Sequence, residues 1–91
     1  MYWVYIIKSK HNGSLYIGST PDLEKRIKEH NEGKFRSTKR YVPWVLIYTE
    51  GYFSKEDASL REKNLKYFGK AYAQLKRRIK NSLQGALKVR G

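Results

Sequence analysis

The sequence predicts a small α+β domain in which a three-stranded sheet is flanked by helices, in the order β-β-α-β-α-α. Residues 2–19 have the composition of a β-hairpin, and the continuous apolar run at 44–48 has the length of a third strand. The remaining segments carry the three- and four-residue apolar spacing of amphipathic helices. A chain of 91 residues makes one small domain. We expect this domain to span residues 1–85, with residues 86–91 as a flexible C-terminal tail.

The predicted hairpin places two tyrosines on one face of the sheet. Val4-Tyr5-Ile6 and Leu15-Tyr16-Ile17-Gly18 suit half-buried strands, and Asn12-Gly13 accepts the positive φ angles of a tight type I′ turn. Any loop with an even residue count keeps Tyr5 and Tyr16 on the same face. A two-residue loop places them far apart along the strands, whereas a six-residue loop makes them diagonal neighbours about 7 Å apart. Only the longer loop favours a shared site, and tyrosine is also common in strands for packing reasons alone.

A first helix follows the hairpin directly. Thr20 has the hydroxyl of an N-cap residue, Pro21 suits the first helical position, and Gly33 suits the stop. Leu23 and Ile27 form the apolar stripe of this helix.

Arg26 and His30 lie one turn apart on this helix, so both project from one flank of the apolar stripe, beside the hairpin. Taken alone, Arg26 is better explained as an exposed charge, and His30 as a surface histidine favoured by the helix dipole.

The segment 34–43 is basic and polar with aromatic interruptions. Such a segment can hold phosphates with Lys and Arg while Phe35 or Tyr41 stacks on a base. It can equally be a connection that two aromatic side chains anchor to the core. The apolar run from Trp44 to Tyr48 then predicts the central or most buried strand.

A second helix is predicted from the N-cap Ser54 to about Tyr67 or Phe68, with its stop at Gly69. At 100° per residue, Ala58, Leu65 and Phe68 share one side of this helix, and Glu62 falls within the same arc. A glutamate is rarely buried unless it is paired or coordinates a metal. Glu62 therefore predicts either a metal ligand or a salt bridge, for instance with Lys66 one turn later.

A third helix is predicted by the four-residue spacing of Ala71, Leu75, Ile79 and Leu83, ending near Gln84. Its outer face is basic. We expect its apolar stripe to cover the sheet, which argues against a membrane surface as partner.

The charge of the chain predicts a polyanionic partner. Twenty Lys and Arg against eight Asp and Glu give a net charge of +12, and no acid follows Lys63. We therefore expect nucleic acid to be bound. The absence of cysteine suits a reducing cytosol, and the absence of a long apolar run predicts a soluble, cytoplasmic protein.

Three segments together resemble the GIY-YIG nuclease family. Trp3-Val4-Tyr5 and Tyr16-Ile17-Gly18 are similar to its two signature halves, with Trp3 in place of the first Gly and Val4 in place of the Ile. The run 23–31 resembles the family segment in which an Arg and often a His enter the site. The run 61–65 resembles the helix that delivers the metal-binding glutamate. The resemblance implies a small antiparallel sheet with helices packed around it.

The function implied by this resemblance is metal-dependent, endonuclease-type hydrolysis of phosphodiester bonds in DNA, with branched or damaged DNA in repair or recombination as substrates. It implies Glu62 as the ligand of Mg²⁺ or Mn²⁺, Tyr5 or Tyr16 as general base, Arg26 for charge stabilisation, and His30 for proton transfer or for holding the scissile phosphate. A phenol becomes a better base beside a cation, such as Arg26, Lys8 or the metal. The DNA backbone is expected to contact Lys34, Arg36, Lys39, Arg40, Lys63, Lys66 and Lys70.

Two features depart from the family pattern. Many active members carry an Asn downstream of the glutamate, where this sequence offers only Gln74, with Asn64 and Asn81 out of helical phase. The enzymes usually carry a separate DNA-binding or docking domain, for which this sequence has no room. We therefore expect either a targeting protein partner or a non-catalytic nucleic-acid-binding module that keeps the nuclease fold.

Overall fold

The computed structural model describes residues 1–85 and contains, within them, three strands and four helices. The elements are β1 (Tyr2–Ser9), β2 (Leu15–Thr20), α1 (Leu23–Asn31), a 3₁₀ turn (Lys39–Tyr41), β3 (Trp44–Tyr52), α2 (Lys55–Tyr67), α3 (Gly69–Arg78) and α4 (Lys80–Gly85). The sheet order is β2-β1-β3, and both pairings are antiparallel. This confirms the predicted α+β class. The predicted tail at 86–91 lies outside the described residues. None of the helices in residues 1–85 has the length and apolar character needed to span a bilayer.

The centre of the sheet is β1. All four side chains from Val4 to Ile7 are completely buried, because both faces of this strand are covered. Val4 and Ile6 pack with α2, α3 and the start of α4, whereas Tyr5 and Ile7 pack with α1 and the segment before β3. The domain therefore has two small cores, one on each face of the sheet.

The prediction that residues 44–48 form the central or most buried strand was wrong. The strand β3 is longer than predicted and lies at an edge, where Trp44 is its one fully buried side chain and Leu46 is 40% exposed. A continuous apolar run is compatible with either position. The deciding feature is that β1 is apolar on both faces and pairs with both other strands.

The hairpin register places Tyr16 opposite Ile7 and Gly18 opposite Tyr5, which confirms the longer loop. The prediction of a type I′ turn was wrong, because Gly13 has a positive φ angle, at +79°, but Asn12 does not. The Ser9 side chain accepts hydrogen bonds from the backbone N–H groups of His11 and Asn12, at 3.0 and 3.1 Å. These bonds stabilise a wider loop than the Asn-Gly pair suggests.

The helix boundaries follow the predicted caps in part. Ser54 caps α2 by accepting from the Asp57 N–H, and Gly33 follows α1 with φ +75°, both as predicted. The N-cap of α1 is Asp22 rather than Thr20, because the Thr20 hydroxyl instead accepts from the Asp22 N–H. Gly69 begins α3 and does not terminate α2.

The junctions at the two ends of α3 explain two further differences. Phe68 has extended backbone angles, so its side chain leaves the helical phase and is 60% exposed instead of buried. The predicted third helix is broken at Ile79, where the backbone is no longer helical. Leu75 and Ile79 are nevertheless buried in the core, and Ala71 and Leu83 pack against it.

Replacement of Leu65 by Ala should strongly destabilise the fold. Leu65 is 1% exposed and packs α2 against the sheet, so truncation should lower the free energy of unfolding by about 2–5 kcal/mol. Leu60→Ala on the same helix is the matched control: Leu60 is 58% exposed, and its truncation should change that free energy by less than about 0.5 kcal/mol. Urea unfolding of both variants tests the assignment, and equal losses would contradict it.

Candidate active site

Gly18 allows the Tyr5 ring to lie directly on the neighbouring strand. A Cβ atom at this position would lie 2.9 Å from Cε2 of Tyr5 and still closer to its Cζ and hydroxyl oxygen. Any larger residue would therefore displace the phenol. This close approach gives a physical reason for glycine at this point of β2.

A buried hydrogen-bonded chain links Tyr5, His30 and Thr38. The Tyr5 hydroxyl oxygen is 2.8 Å from His30 Nε2, and His30 Nδ1 is 2.8 Å from Thr38 Oγ1. All three side chains are almost completely buried. The chain connects β1, α1 and the segment before the 3₁₀ turn, so it fixes the ring of His30 from both nitrogens.

Burial keeps both ionisable members of this chain neutral. Burial raises the pKa of Tyr5 to about 12, although Arg26 opposes the shift. Burial also lowers the pKa of His30 below its ordinary value of 6.5, and the Arg26 guanidinium adds to this effect. A neutral pair is satisfied when the Tyr5 hydroxyl donates to Nε2 and Nδ1–H donates to Thr38 Oγ1. Tyr5 is thus poorly suited to act as a base.

Tyr16 is the partly exposed phenol of the pair. Its ring packs edge-on against His30 and Trp44, with centroid distances of 5.1 and 6.4 Å. These contacts hold the ring on the same sheet face as Tyr5, and its partial exposure lets it meet a ligand.

Arg26, on α1, lies beside Phe35 and the end of β2. Its guanidinium carbon is 5.3 Å from the centre of the Phe35 ring, which in turn contacts His30 with centroids 4.7 Å apart. Its NH1 group donates to the Ser19 carbonyl at 3.4 Å, and Nε lies 3.8 Å from Glu29 Oε1. The stacked ring holds the guanidinium in place while leaving N–H groups for a further acceptor.

Glu62 reaches the same place from the opposite face of the sheet. The Ser19 hydroxyl donates to its Oε1 at 2.7 Å, and the Lys66 ammonium lies 2.7 Å from its Oε2. The Glu62–Lys66 salt bridge, which the sequence predicted as the alternative to a metal ligand, is thus present. The Lys66 ammonium also lies 5.6 Å from the centre of the Tyr16 ring. Burial is the largest single influence on this ammonium and acts to lower its pKa. The hydrogen bond to Glu62, the Glu62 charge and the nearby phenols together outweigh burial, so the pKa of Lys66 is raised.

The five predicted catalytic residues are therefore connected by contacts: Tyr16, Arg26 and Glu62 are partly exposed near β2, whereas Tyr5 and His30 are buried in the core. Ser19 connects Arg26 with Glu62, and Lys66 connects Glu62 with Tyr16. A cavity of about 250 Å³ is lined by Ser19, Arg26 and the N-terminal part of α2, and Arg26 is the one member of the five that lines it. Lys8 does not join them, because its ammonium donates to the Leu83 carbonyl on the α4 side.

One carboxylate at this place fits a hard divalent ion held mainly by water. Residues 1–85 contain no cluster of three or more His, Cys, Asp or Glu side chains that could form a protein cage. Mg²⁺ commonly uses one or two carboxylates, keeps several waters and binds substrate phosphates. The Glu62 side chain is 23% exposed, so it can offer an oxygen to such an ion if Lys66 moves aside.

The predicted nucleic-acid-binding side chains are all exposed, namely Lys34, Arg36, Lys39, Arg40, Lys63, Lys66 and Lys70. The aromatic residues of the basic segment are core anchors, since Phe35 packs on His30 and Tyr41 packs against the Tyr5 core. Gln74 is exposed on α3, where it lines a surface pocket with Arg77 and Arg78.

Sequence reasoning missed two positioning residues. Ser19 follows the signature glycine and faces α2 because side chains alternate along β2, a signal that was available. Thr38 left no local signal, because its contact with His30 depends on how the segment after α1 folds back.

This arrangement defines the class of the protein: a small sheet whose hairpin tyrosines meet an arginine, a histidine and a glutamate from two helices is a nuclease-type domain. The sequence matches the family described as GIY-YIG catalytic domain over residues 1–67. The chain therefore belongs to the GIY-YIG family, and this membership supports an endonuclease-type function.

Its relatives are small proteins of similar length. The chain is 46% identical over 70 residues to UPF0213 protein SH2523 of Staphylococcus haemolyticus, covering 76% of this chain and 84% of the relative. It is 36% identical over 72 residues to UPF0213 protein VNG_2274C of Halobacterium salinarum, covering 78% and 92%. The solution NMR structure of UPF0213 protein BH0048 from Bacillus halodurans has a TM-score of 0.56 and 30% identity, covering 99% of this chain and 100% of that one.

The stability of the fold should fall as the pH is lowered below about 6.5. Because burial lowers the pKa of His30 in the folded state, the unfolded chain binds a proton there first, and stability is lost below the ordinary value of 6.5. Proton NMR of the His30 ring should show a midpoint below 6.5, and urea unfolding at pH 7.5 and 5.5 should show the loss. His11→Gln, at an exposed position, is the control, and this variant should show the same loss of stability at the lower pH. A His30 midpoint at or above 6.5 would contradict the assignment.

Proposed function

We propose that this protein is a metal-dependent phosphodiesterase of endonuclease type that acts on DNA. The observation that carries the proposal is the meeting of Glu62, Tyr16 and Arg26 at the β2 edge of a GIY-YIG domain. A carboxylate, a phenol and a guanidinium are the groups needed to bind a cation, to orient a water and to stabilise negative charge on a phosphate.

Glu62 is the residue that would hold Mg²⁺ or Mn²⁺. When bound there, such an ion would polarise a water molecule and neutralise charge on the phosphate. The Ser19 hydroxyl orients this carboxylate through its bond to Oε1, leaving Oε2 as the oxygen to be offered.

Tyr16 is the better candidate for general base or for aligning the attacking water. It is partly exposed, whereas Tyr5 is buried and has its pKa raised to about 12. Arg26, held by its stack on Phe35, would donate to the non-bridging oxygens as charge develops on the phosphorus.

His30 has a different role in this proposal from the phosphate contact expected from the sequence. Its ring is 1% exposed, and both nitrogens are within 2.8 Å of protein partners. It therefore acts as a positioning residue that fixes the Tyr5 ring, and through ring packing also Tyr16.

DNA is the substrate that suits the charge of the surface around the site. Exposed cations lie in the segment after α1 and on α2, the helix that carries Glu62, and the whole chain carries +12. Such cations bind phosphates without reading bases, so the proposed substrate is defined by backbone shape rather than by sequence.

A second candidate is a nucleic-acid-binding module that no longer cuts. The observation that favours it is the ion pair between Lys66 and Glu62, which occupies the oxygen that a metal would need. Incubation of supercoiled plasmid and branched DNA with Mg²⁺ or Mn²⁺, beside an EDTA control, separates the two candidates. Tight binding without cleavage of any substrate would support the module.

Replacement of Glu62 by Gln should abolish metal-dependent cleavage and leave folding intact. The amide keeps the shape and can still accept from Ser19, but it removes the proposed metal ligand. The rate should fall by orders of magnitude, because several kcal/mol of transition-state stabilisation depend on the ion. DNA affinity should stay equal or rise, because a negative charge beside the phosphate is lost. Cleavage of the plasmid and branched panel by Glu62→Gln at the wild-type rate would show the metal assignment to be wrong.

Binding to duplex DNA should depend steeply on salt. With roughly six to eight phosphate contacts, log K against log[salt] should have a slope of about −5 to −7. Arg36→Glu should weaken binding by a similar factor on unrelated sequences, whereas the control Arg36→Lys keeps the charge and should keep the slope. Fluorescence anisotropy between 50 and 300 mM salt measures both. A slope shallower than about −2 would overturn the electrostatic interface.

A further inference from the structure

Both oxygens of the Glu62 carboxylate are in contact with polar groups of other side chains. Each of its oxygens has one partner at 2.7 Å, the Ser19 hydroxyl on Oε1 and the Lys66 ammonium on Oε2. Ser19 belongs to a strand and is fixed by the sheet. Lys66 is held by a flexible four-carbon side chain, so it is the partner that can leave.

The position of the Lys66 ammonium is the one that a bound cation would need. It touches Oε2 of Glu62 and also lies 5.6 Å from the centre of the Tyr16 ring, between the carboxylate and the partly exposed phenol. A cation that is bound to Glu62 and polarises a water beside Tyr16 would occupy the space between this carboxylate and the Tyr16 ring. Two cations cannot share one carboxylate oxygen at hydrogen-bond distance without strong repulsion.

The other ion pair of α2, between Arg61 and Glu50, differs from the Lys66–Glu62 pair. Arg61 binds Glu50 with two nitrogens, and Glu50 also accepts from Tyr48 and Tyr52, so that carboxylate is closed on all sides. Glu50 lies in β3, at the other edge of the sheet. Glu62 instead has one partner on each oxygen, and only one of the two, Lys66, is a long flexible side chain.

We propose that Lys66 is an internal cation that competes with the divalent ion for Glu62 and that a DNA phosphate, by attracting Lys66, releases the carboxylate for metal binding. This inference rests on the proposed function, which assigns the metal to Glu62. The free chain then binds the metal weakly, and the DNA complex binds it more tightly. Because binding free energies are reciprocal, the metal tightens DNA binding by the same factor.

The first experiment measures Mn²⁺ binding to the full chain without DNA, by electron paramagnetic resonance of the free ion. Lys66→Met keeps most of the side-chain length without the charge and should bind Mn²⁺ at least about fivefold more tightly than wild type. Lys63→Met removes the same charge from an exposed position of the same helix and should change the affinity by less than about twofold. Circular dichroism confirms that the variants fold.

Glu62→Gln separates the possible outcomes. If Glu62→Gln abolishes Mn²⁺ binding but Lys66→Met behaves like Lys63→Met, the competition is refuted and the metal assignment stands. If Glu62→Gln binds Mn²⁺ as wild type does, or if wild type and Lys66→Met both fail to bind it, the metal assignment fails and the competition fails with it.

The second experiment tests the effect of DNA in a Tyr16→Phe background, which keeps the ring and suppresses cleavage. A short duplex should tighten Mn²⁺ binding by at least about fivefold. The Mn²⁺ that the DNA itself binds is measured in a mixture of the duplex with Glu62→Gln protein and is subtracted. The added Lys66→Met substitution should remove most of this increase. An increase of equal size with and without Lys66 would overturn the role of the phosphate.

Discussion

The contact of the Tyr5 ring with Gly18 on one side and His30 on the other is the constraint on which the rest of the structure depends. It requires β1 to be the central strand, because Tyr5 must be covered on all sides. It requires α1 to follow β2 after a very short connection, so that His30 reaches the phenol. It also requires the segment after α1 to fold back and bring Thr38 to the other ring nitrogen. A satisfied buried polar chain of this kind specifies one arrangement of the elements.

The two faces of the sheet contribute different chemistry, and they meet at one edge. The face covered by α1 contributes phenols and a guanidinium, and the face covered by α2 contributes a carboxylate and an ammonium. Side chains from opposite faces can meet only around the end of a sheet. Ser19, one residue before the end of the edge strand β2, contacts a side chain from each of these helices, Arg26 and Glu62. At the other edge, the Glu50–Arg61 pair instead fixes β3 to α2.

Much of the fold was readable from the sequence because its determinants are local. The hairpin face of Tyr5 and Tyr16 follows from strand alternation, and the Gly33 stop and the Ser54 cap follow from the chemistry of single residues. The identity of the central strand was not local, since it depends on which strand is covered on both faces. The prediction that Gly69 ends the second helix was wrong, because a glycine can begin a helix as well as end one.

The candidate site was predicted less completely than the fold, again for a physical reason. Glu62 could be placed by helical phase, and the resemblance selected Arg26 and His30. The partners that set their properties, Ser19, Thr38 and the ammonium of Lys66, act through contacts between elements that are distant in sequence. Helical spacing predicted the Lys66 ion pair, but only the folded chain puts that ion pair beside Tyr16.

The position of the site on an edge strand also bears on self-association. An unpaired strand edge is a template for another chain, and charged side chains are a common protection against such pairing. Arg26 takes the Ser19 carbonyl of β2 as an acceptor, and Lys66 and Glu62 place a charge of each sign beside the same residue. The groups proposed for chemistry thus also shield the strand from a second copy. Under the proposed function the same side chains would serve both edge protection and chemistry, so a chain without the activity would still need them to protect the edge.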